Sequence, residues 1–319
     1  MKLTHLSFFL TDKCTAACKI CCYKCNPNGN QVLNKELIKD YIRQLTQINS
    51  KADISFTGGE ALVCYDILRE CMEYANKLNF KSSLVTNCSF GKSVDEAKNL
   101  LKDLMSVGLY RIGISTDRFH QQFVPIQYVK NVLIAANEIN LSTQLRLMET
   151  KNDESTDNTL DALRPEIYTT RTVFYPALPI GCATDNIPTD QFVKLFPADS
   201  ARCIFDRSVI VLFNGDLLMC CSQFSHEIPL LKIGTFGKTS LEEAVKNISS
   251  NNYIYVMLKN GFGWYTNLAK HLGFKVDDFY GYPCQLCYEL FSNKDFVAQV
   301  ASHVKKEADK LRLQKFFSA

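Results

Sequence analysis

Three cysteines near the amino terminus are close enough in sequence to share one metal site. The segment 11–21 reads TDKCTAACKIC and carries Cys14, Cys18 and Cys21 on what is expected to be a loop after a strand. Iron–sulfur clusters are ordinarily held by four thiolates, so a loop with three would leave one iron open to another ligand. A zinc site completed by a fourth ligand from elsewhere in the chain is the alternative interpretation.

A predicted β-hairpin in the second half would bring two further cysteines together. The apolar runs 208–213 and 216–219 are joined by an Asn-Gly pair, which favours a tight turn because both residues accept positive φ. Cys203 precedes this hairpin and Cys220 ends its second strand. Folding at the turn should therefore place these two thiols near each other.

A Cys-x-x-Cys pair, Cys284 and Cys287, could complete a second set of four thiolates with Cys203 and Cys220. We interpret this set as a second [4Fe–4S] cluster. A structural zinc ion is the alternative, because four thiolates also make a zinc site.

A third group of residues lies at the end of the second predicted strand. Gly58 and Gly59 would let the backbone approach a ligand closely, and the carboxylate of Glu60 suits a positively charged amine. The alternative interpretation of the same residues is a tight strand–helix turn with an acid at the start of the helix.

The elements that must position these residues alternate between strand and helix patterns. Such alternation predicts an α/β fold with a parallel sheet, here a partial (β/α)6 TIM-like barrel with its catalytic groups at the carboxyl ends of the strands. We predict a barrel domain over 1–178 and an auxiliary cluster domain, a β-hairpin plus helices, over 179–319. The predicted barrel strands are 5–11, 53–57, 82–86, 110–115, 143–148 and 172–175.

Composition excludes several classes of protein. The 319 residues carry a net charge of only +3, which gives no case for a general nucleic-acid binder. No run has the length of a membrane span or the features of a signal peptide, so we expect a cytoplasmic protein without a membrane partner. In a reducing compartment, 14 cysteines point to metal binding or catalysis more than to disulfides.

The loop with Cys14, Cys18 and Cys21 and the sequence Thr57-Gly58-Gly59-Glu60 resemble the signatures of the radical S-adenosylmethionine (SAM) superfamily. That resemblance implies a [4Fe–4S] cluster whose open iron binds SAM, with the Gly-Gly-Glu motif at the SAM amino group. One departure is Ile20, where the superfamily often has an aromatic residue. By position on strands three to five, further SAM contacts are expected at Asn87, Ser115, Asp117, Arg146 and Met148, although ordinary strand-end or core roles also fit these residues.

A closer resemblance is to the radical SAM peptide epimerases, which install D-residues in ribosomally made peptides and have a shortened SPASM/Twitch-like auxiliary domain. It rests on the segments CTAACKICCYKC at 14–25, ISFTGGE at 54–60, CCS at 220–222, LKNGFGW at 258–264 and CQLC at 284–287.

The resemblance to these epimerases implies a mechanism. A 5′-deoxyadenosyl radical takes the Cα hydrogen from an L-residue, and a thiol returns a hydrogen from the opposite face. That thiol is carried over to Cys221, which should face the barrel mouth if its neighbour Cys220 faces the auxiliary cluster. Asp206 is the nearest candidate for an acid that manages protons. The implied partners are a ribosomal precursor peptide and an electron donor of the flavodoxin or ferredoxin type.

Several alternatives stay open on sequence alone. Cys22 or Cys25 could replace one of the first three ligands, and Cys221 could be the ligand in place of Cys220. The chain could also be a maturase that forms thioether or carbon–carbon crosslinks, a radical enzyme for small molecules, or a metal-binding module without catalysis.

Overall fold

The computed structural model describes residues 2–151, 153–204 and 207–317. In the first half, six strands alternate with helices, and each strand pairs in parallel with the next along the chain. The strands are β1 His5–Phe9, β2 Asp53–Thr57, β3 Ser82–Thr86, β4 Leu109–Ser115, β5 Ser142–Glu149 and β6 Arg171–Pro176. The helices are α1 Lys35–Ile48, α2 Tyr65–Lys77, α3 Val94–Ser106, α4 Ile126–Glu138 and α5 Ser155–Ala162.

The helix α1 shows how local sequence sets these elements. Asn34 caps its amino end by accepting two backbone N–H groups of the first turn, a contact that contributes about 1 kcal/mol. Ile38, Ile42 and Leu45 recur every three or four residues and are fully buried against the sheet. Helices α2 to α4 also bury apolar residues. The predicted α/β fold of parallel strands and helices is confirmed.

The second half has short strands and a set of helices. Its strands are β7 Phe196–Pro197, β8 Ser208–Val211, β9 Asp216–Leu218, β10 Lys232–Thr235 and β11 Phe279–Tyr280. Its helices are α6 Cys182–Asn186, α7 Leu241–Ser250, α8 Asn252–Asn260, α9 Phe262–His271, α10 Pro283–Phe291 and α11 Lys294–Phe317. Within the described ranges, none of the helices is both long enough and apolar enough to cross a bilayer.

The hairpin of β8 and β9 forms as an antiparallel pair, but its turn differs from the expected one. Only Gly215 has positive φ, at +85°, whereas both turn residues were expected to have it. The N–H of Gly215 donates to the carbonyl of Leu212, and the side chain of Asn214 accepts the N–H of Asp216. Because Asn214 makes that side-chain bond, a three-residue loop ending in glycine replaces the two-residue turn.

The hairpin also extends the main sheet. Strand β8 pairs in parallel with β1, giving the nine-stranded order β10-β9-β8-β1-β2-β3-β4-β5-β6. One buried apolar core runs beneath both halves of this sheet. The sheet thus crosses the boundary predicted near residue 178, and the division into 1–178 and 179–319 stays a prediction.

Candidate active site

The cysteine loop after β1 gathers its three predicted ligands into one apolar pocket. A reverse turn forms where the N–H of Cys21 donates to the carbonyl of Cys18 at 3.0 Å. Cys14, Cys18 and Cys21 pack in one cluster with the apolar side chains of Ile20 and Phe119. The local turn and the burial of Ile20 therefore bring together thiols that are up to seven residues apart.

Electrostatics indicate which ligand the three thiols would suit. The pKa of Cys14 is raised to about 11, chiefly by burial, and the nearby Glu60 and Cys21 act in the same direction. Burial also raises the pKa of Cys18, and Cys14 and Asp117 act in the same direction. Three thiolates here would repel one another unless a cation lay between them. The irons of a cluster would supply that charge, so the donor set fits an iron–sulfur cluster.

Cys21 is already supported as a thiolate by the residues after it. Its pKa is lowered to about 6, first because the Cys25 thiol donates to it. The backbone N–H of Cys25 also donates to the Sγ of Cys21 at 3.3 Å. Cys25 therefore lies beside the predicted ligands, and whether it binds metal stays open.

His120 is a neighbour of the cluster loop that the sequence interpretation missed. It is half-buried, and burial lowers its pKa, but Asp117 and Cys21 together raise the pKa by more, so the net shift is upward. Its Nδ1 lies 2.9 Å from Oδ2 of Asp117, close enough for an ion pair when the imidazole is protonated. The sequence did hold a signal for this residue, because His120 follows the predicted site residue Asp117 by three positions.

The Gly-Gly-Glu segment holds the cysteine loop itself. The N–H of Gly59 donates to the carbonyl of Thr11 at 2.7 Å, and the N–H of Glu60 to that of Lys13 at 2.9 Å. A Cβ at Gly59 would lie 2.4 Å from the Lys13 oxygen, and one at Gly58 would lie 2.6 Å from the Thr11 oxygen. The two glycines thus allow the backbone to approach the cysteine loop closely. The sequence had predicted that they would allow close approach to a ligand.

The carboxylate of Glu60 joins three parts of the protein. It is 1% exposed and accepts from the Thr86 hydroxyl at 3.0 Å, the Asn87 N–H at 2.8 Å and the Leu62 N–H at 3.2 Å. Burial raises its pKa despite these bonds. Glu60 therefore ties the ends of β2 and β3 together, and its predicted contact with the SAM amino group stays a prediction.

Asn87 and Asp117, two predicted SAM contacts, also make bonds within the site. The side-chain amide of Asn87 donates to Thr15 at 2.9 Å and lies 3.7 Å from the sulfur of Cys14. Asp117 is buried and accepts the backbone N–H of Met148 at 3.2 Å. These bonds place the ends of β3, β4 and β5 around the cysteine loop.

Arg146 is a half-buried cation with few partners. Its side chain lies over Gly113, where a Cβ would be 3.3 Å from the Arg146 Cζ. Two of its N–H groups donate to the Gln144 oxygen, at 3.2 and 3.1 Å. Burial lowers its pKa, and no described carboxylate pairs with it, so donors remain for an anion. Ser115, its partner in the β4–β5 register, lies on the same face.

The four later cysteines line one cavity. Cys203, Cys220, Cys284 and Cys287 surround an empty volume of about 430 Å³, together with apolar side chains such as Phe262. The volume and the four sulfurs fit the predicted auxiliary cluster. Among the described residues, no three acidic, histidine or cysteine side chains lie close enough together to hold a single metal ion. The ligand set for this cavity therefore rests on a shared lining.

Cys221 diverges from its neighbour Cys220. It is exposed, is not part of the cavity lining, and lies near enough to Arg146 to interact with it electrostatically, as Tyr175 also does. The thiols of Cys220 and Cys221 both contribute to raising the pKa of Tyr23 in the first cysteine loop. The expected position of Cys221 at the barrel mouth stays a prediction. Asp206 lies outside the described residues.

The sequence of this chain is similar to a known protein family and to a curated protein. The sequence model of the Radical SAM superfamily matches residues 8–163. The Bacillus subtilis (strain 168) protein named "Putative peptide biosynthesis protein YydG" is 25% identical over 310 residues, covering 94% of this chain and 96% of that protein.

Two solved structures share the fold. anSMEcpe, solved with bound AdoMet and the Cp18Cys peptide, superposes with a TM-score of 0.57 at 13% identity, covering 98% of this chain and all of that one. Streptococcus suis SuiB, solved with its precursor peptide SuiA, gives 0.51 at 14% identity, covering 70% of this chain and 60% of that one. Taken with the three-thiol loop, the match over residues 8–163 makes the first half of this chain similar to the radical SAM superfamily.

Proposed function

We propose that this protein is a radical SAM epimerase that converts L-residues of a ribosomally made peptide to D-residues. The observation that carries the proposal is the divergence of Cys220 and Cys221, because one lines the auxiliary cavity and the other interacts with residues of the barrel strands. The similarity to YydG along nearly the whole chain supports a peptide as the substrate.

The first cofactor site would be made by Cys14, Cys18 and Cys21, with SAM on the open iron of a [4Fe–4S] cluster. When bound, these groups supply a 5′-deoxyadenosyl radical that removes the Cα hydrogen of the substrate residue. The free donors of Arg146 and the neighbouring Ser115 are suited to the SAM carboxylate. Met148 and Asp117, joined by a hydrogen bond, would border the nucleoside.

Cys221 would return the hydrogen. Its S–H bond breaks as a new Cα–H bond forms, which leaves a D-residue and a sulfur radical on the enzyme. The sulfur radical needs one electron and one proton to become a thiol again, and a flavodoxin or ferredoxin is the class of donor we propose for the electron. Cys221 belongs to the segment after the hairpin, whereas the cluster and SAM would be held by the loop after β1, and this separation along the chain suits delivery to the face opposite the one attacked.

A second [4Fe–4S] cluster would occupy the cavity of Cys203, Cys220, Cys284 and Cys287. In that position it would fix Cys220 and so orient the adjacent Cys221. The N–H of Ser222 donates to the sulfur of Cys220 at 3.4 Å, which adds a further constraint on this turn. Asp206 remains a candidate for managing protons on the grounds of sequence alone.

The test compares wild-type enzyme with Cys221→Ala, both reconstituted anaerobically and given the precursor peptide in D2O. Wild-type enzyme should yield D-residues that each carry one deuterium at Cα, because the thiol exchanges with solvent. Cys221→Ala should still make 5′-deoxyadenosine but lose D-residue formation by at least about 100-fold, since no hydrogen donor remains. Chiral amino-acid analysis and peptide mass measure both outcomes.

Two results would contradict the proposal. D-residues formed at the wild-type rate by Cys221→Ala would remove the thiol from the mechanism. A product that has lost two hydrogens in both enzymes would identify a crosslinking maturase instead. Cys71→Ala is the matched control, because it removes a buried thiol of α2 that belongs to neither cysteine set.

A further inference from the structure

Strand β6 ends the sheet with one edge unpaired. It pairs with β5 on one side, and within 2–151, 153–204 and 207–317 no strand pairs with its other side. Edges of this kind present a row of N–H and C=O groups that another extended chain can use. What β6 offers there follows from its register.

The register identifies which backbone groups point outward. The N–H of Ala177 donates to the carbonyl of Glu149 on β5 at 2.7 Å. Because backbone groups alternate along a strand, the odd-numbered residues of β6 face β5. Thr172 and Phe174 therefore direct both N–H and C=O away from the sheet, and Pro176 directs a carbonyl without an N–H. The free edge is short and ends at that proline.

The outward row is accessible. Every residue of β6 is at least partly exposed, and Phe174 is 46% exposed. Its register partner Leu147 on β5, which points to the same face, is 0% exposed. A large apolar side chain thus lies uncovered beside unused backbone groups, a combination that sheet proteins ordinarily avoid.

The same strand leads into the candidate active site. Tyr175 pairs with Met148 in the β5–β6 register, so the two side chains share the inner face. Tyr175 and Cys221 both interact electrostatically with Arg146 and with Tyr282. An extended chain beside β6 would advance about 3.3 Å per residue. Pairing at Thr172 and Phe174 would then bring its next residues alongside Tyr175.

We propose that an extended segment of the precursor peptide pairs with the free edge of β6 as an added strand, with its backbone bonded to Thr172 and Phe174. This inference rests on the proposed function for the nature of the ligand. Backbone pairing fixes the register of the peptide without reading its sequence, so side chains at alternate positions are presented to the inner face. The strand thereby selects which Cα lies near Cys221.

The experiment uses an edge-specific substitution. Phe174→Pro removes the outward N–H without touching the β5–β6 ladder, and Phe174→Ala removes the same side chain but keeps the N–H. Each holoenzyme, loaded with SAM, is panned without oxygen against a display library of random linear 15-residue peptides. The pool enriched on wild-type enzyme should bind Phe174→Ala, and its affinity for Phe174→Pro should fall by about tenfold or more.

A second measurement guards against a folding defect. On wild-type enzyme, amide hydrogen exchange at Thr172 and Phe174 should slow when the enriched peptide binds, while exchange at Val173 stays unchanged. Equal affinity of Phe174→Pro and Phe174→Ala, absence of an enriched pool, or unchanged exchange would each overturn the inference. A precursor peptide that protects this edge but gains no D-residues would instead count against the epimerase proposal alone.

Discussion

At the scale of single residues, the chemistry depends on groups whose surroundings leave them incompletely satisfied. Arg146 is the clearest case, because two of its N–H groups bond to Gln144 and no described carboxylate balances its charge. A half-buried cation without a counter-charge destabilises the protein and is retained where a ligand uses it. In the proposed function that ligand is the SAM carboxylate.

We therefore predict that Arg146→Met weakens SAM binding about 10- to 100-fold, the loss expected for a charge-assisted bond. The same substitution should raise the melting temperature of the cofactor-free protein, because a half-buried, unpaired charge is replaced by an apolar chain of similar length. Anaerobic equilibrium dialysis and thermal unfolding measure the two effects. Arg146→Lys keeps the charge but loses the planar fork, so its SAM affinity should lie between those of wild type and Arg146→Met. Unchanged SAM affinity in Arg146→Met would refute the assignment.

At the scale of elements, the site is built where loops dock on one another at the carboxyl ends of β1 to β5. The segment Gly58–Glu60 is bonded to the backbone of the cysteine loop, and the side chain of Glu60 is bonded to the end of β3. The cysteine loop is thereby fixed before any cluster binds. A change at this contact should affect metal loading more than it affects the rest of the fold.

Gly59→Ala tests that expectation. The added Cβ would lie 2.4 Å from the Lys13 oxygen, so the cysteine loop must shift, at a cost of about 1–3 kcal/mol. We expect iron at the first site to fall sharply after anaerobic reconstitution. Gly273→Ala is the control, because Gly273 has φ +81° but open space around its Cα; it should lose stability and keep its iron. Full iron loading of Gly59→Ala would contradict the docking argument.

At the scale of the whole molecule, one sheet joins the two cysteine sets. Strand β1 leads into the first loop, and its parallel neighbour β8 begins after Cys203. The cavity of the second set is lined without any cysteine of the first set. The two sites should therefore load metal independently.

Iron content checks this independence. The reconstituted protein should hold about eight iron and eight sulfide ions, as two [4Fe–4S] clusters require. Cys18→Ala and Cys287→Ala should each lose about half of the iron. Electron paramagnetic resonance should show that each variant has lost the signal of a different cluster. Zinc in place of iron after anaerobic preparation, or loss of all iron in either variant, would count against two separate clusters.

Sequence reasoning succeeded where a pattern is local. The three-thiol loop, the alternation of strands and helices, and the Gly-Gly-Glu turn can each be read within about ten residues, because loop closure and amphipathic packing are set locally. It also paired Cys203 with Cys220, since a hairpin joins them. It could not identify the partners of Glu60 or the position of His120 beside Cys21, because those contacts join different strands.

The amino-acid sequence by itself therefore determined the parallel α/β architecture and which cysteines stand together. The tertiary structure alone decided that β8 joins β1, that Cys220 lines the auxiliary cavity while Cys221 does not, and that β6 keeps a free edge among the described residues. The physical reason is that strand order and direction are set by long-range pairing. Such pairing depends on which edges remain open once the local elements have formed, and no short segment of sequence records that.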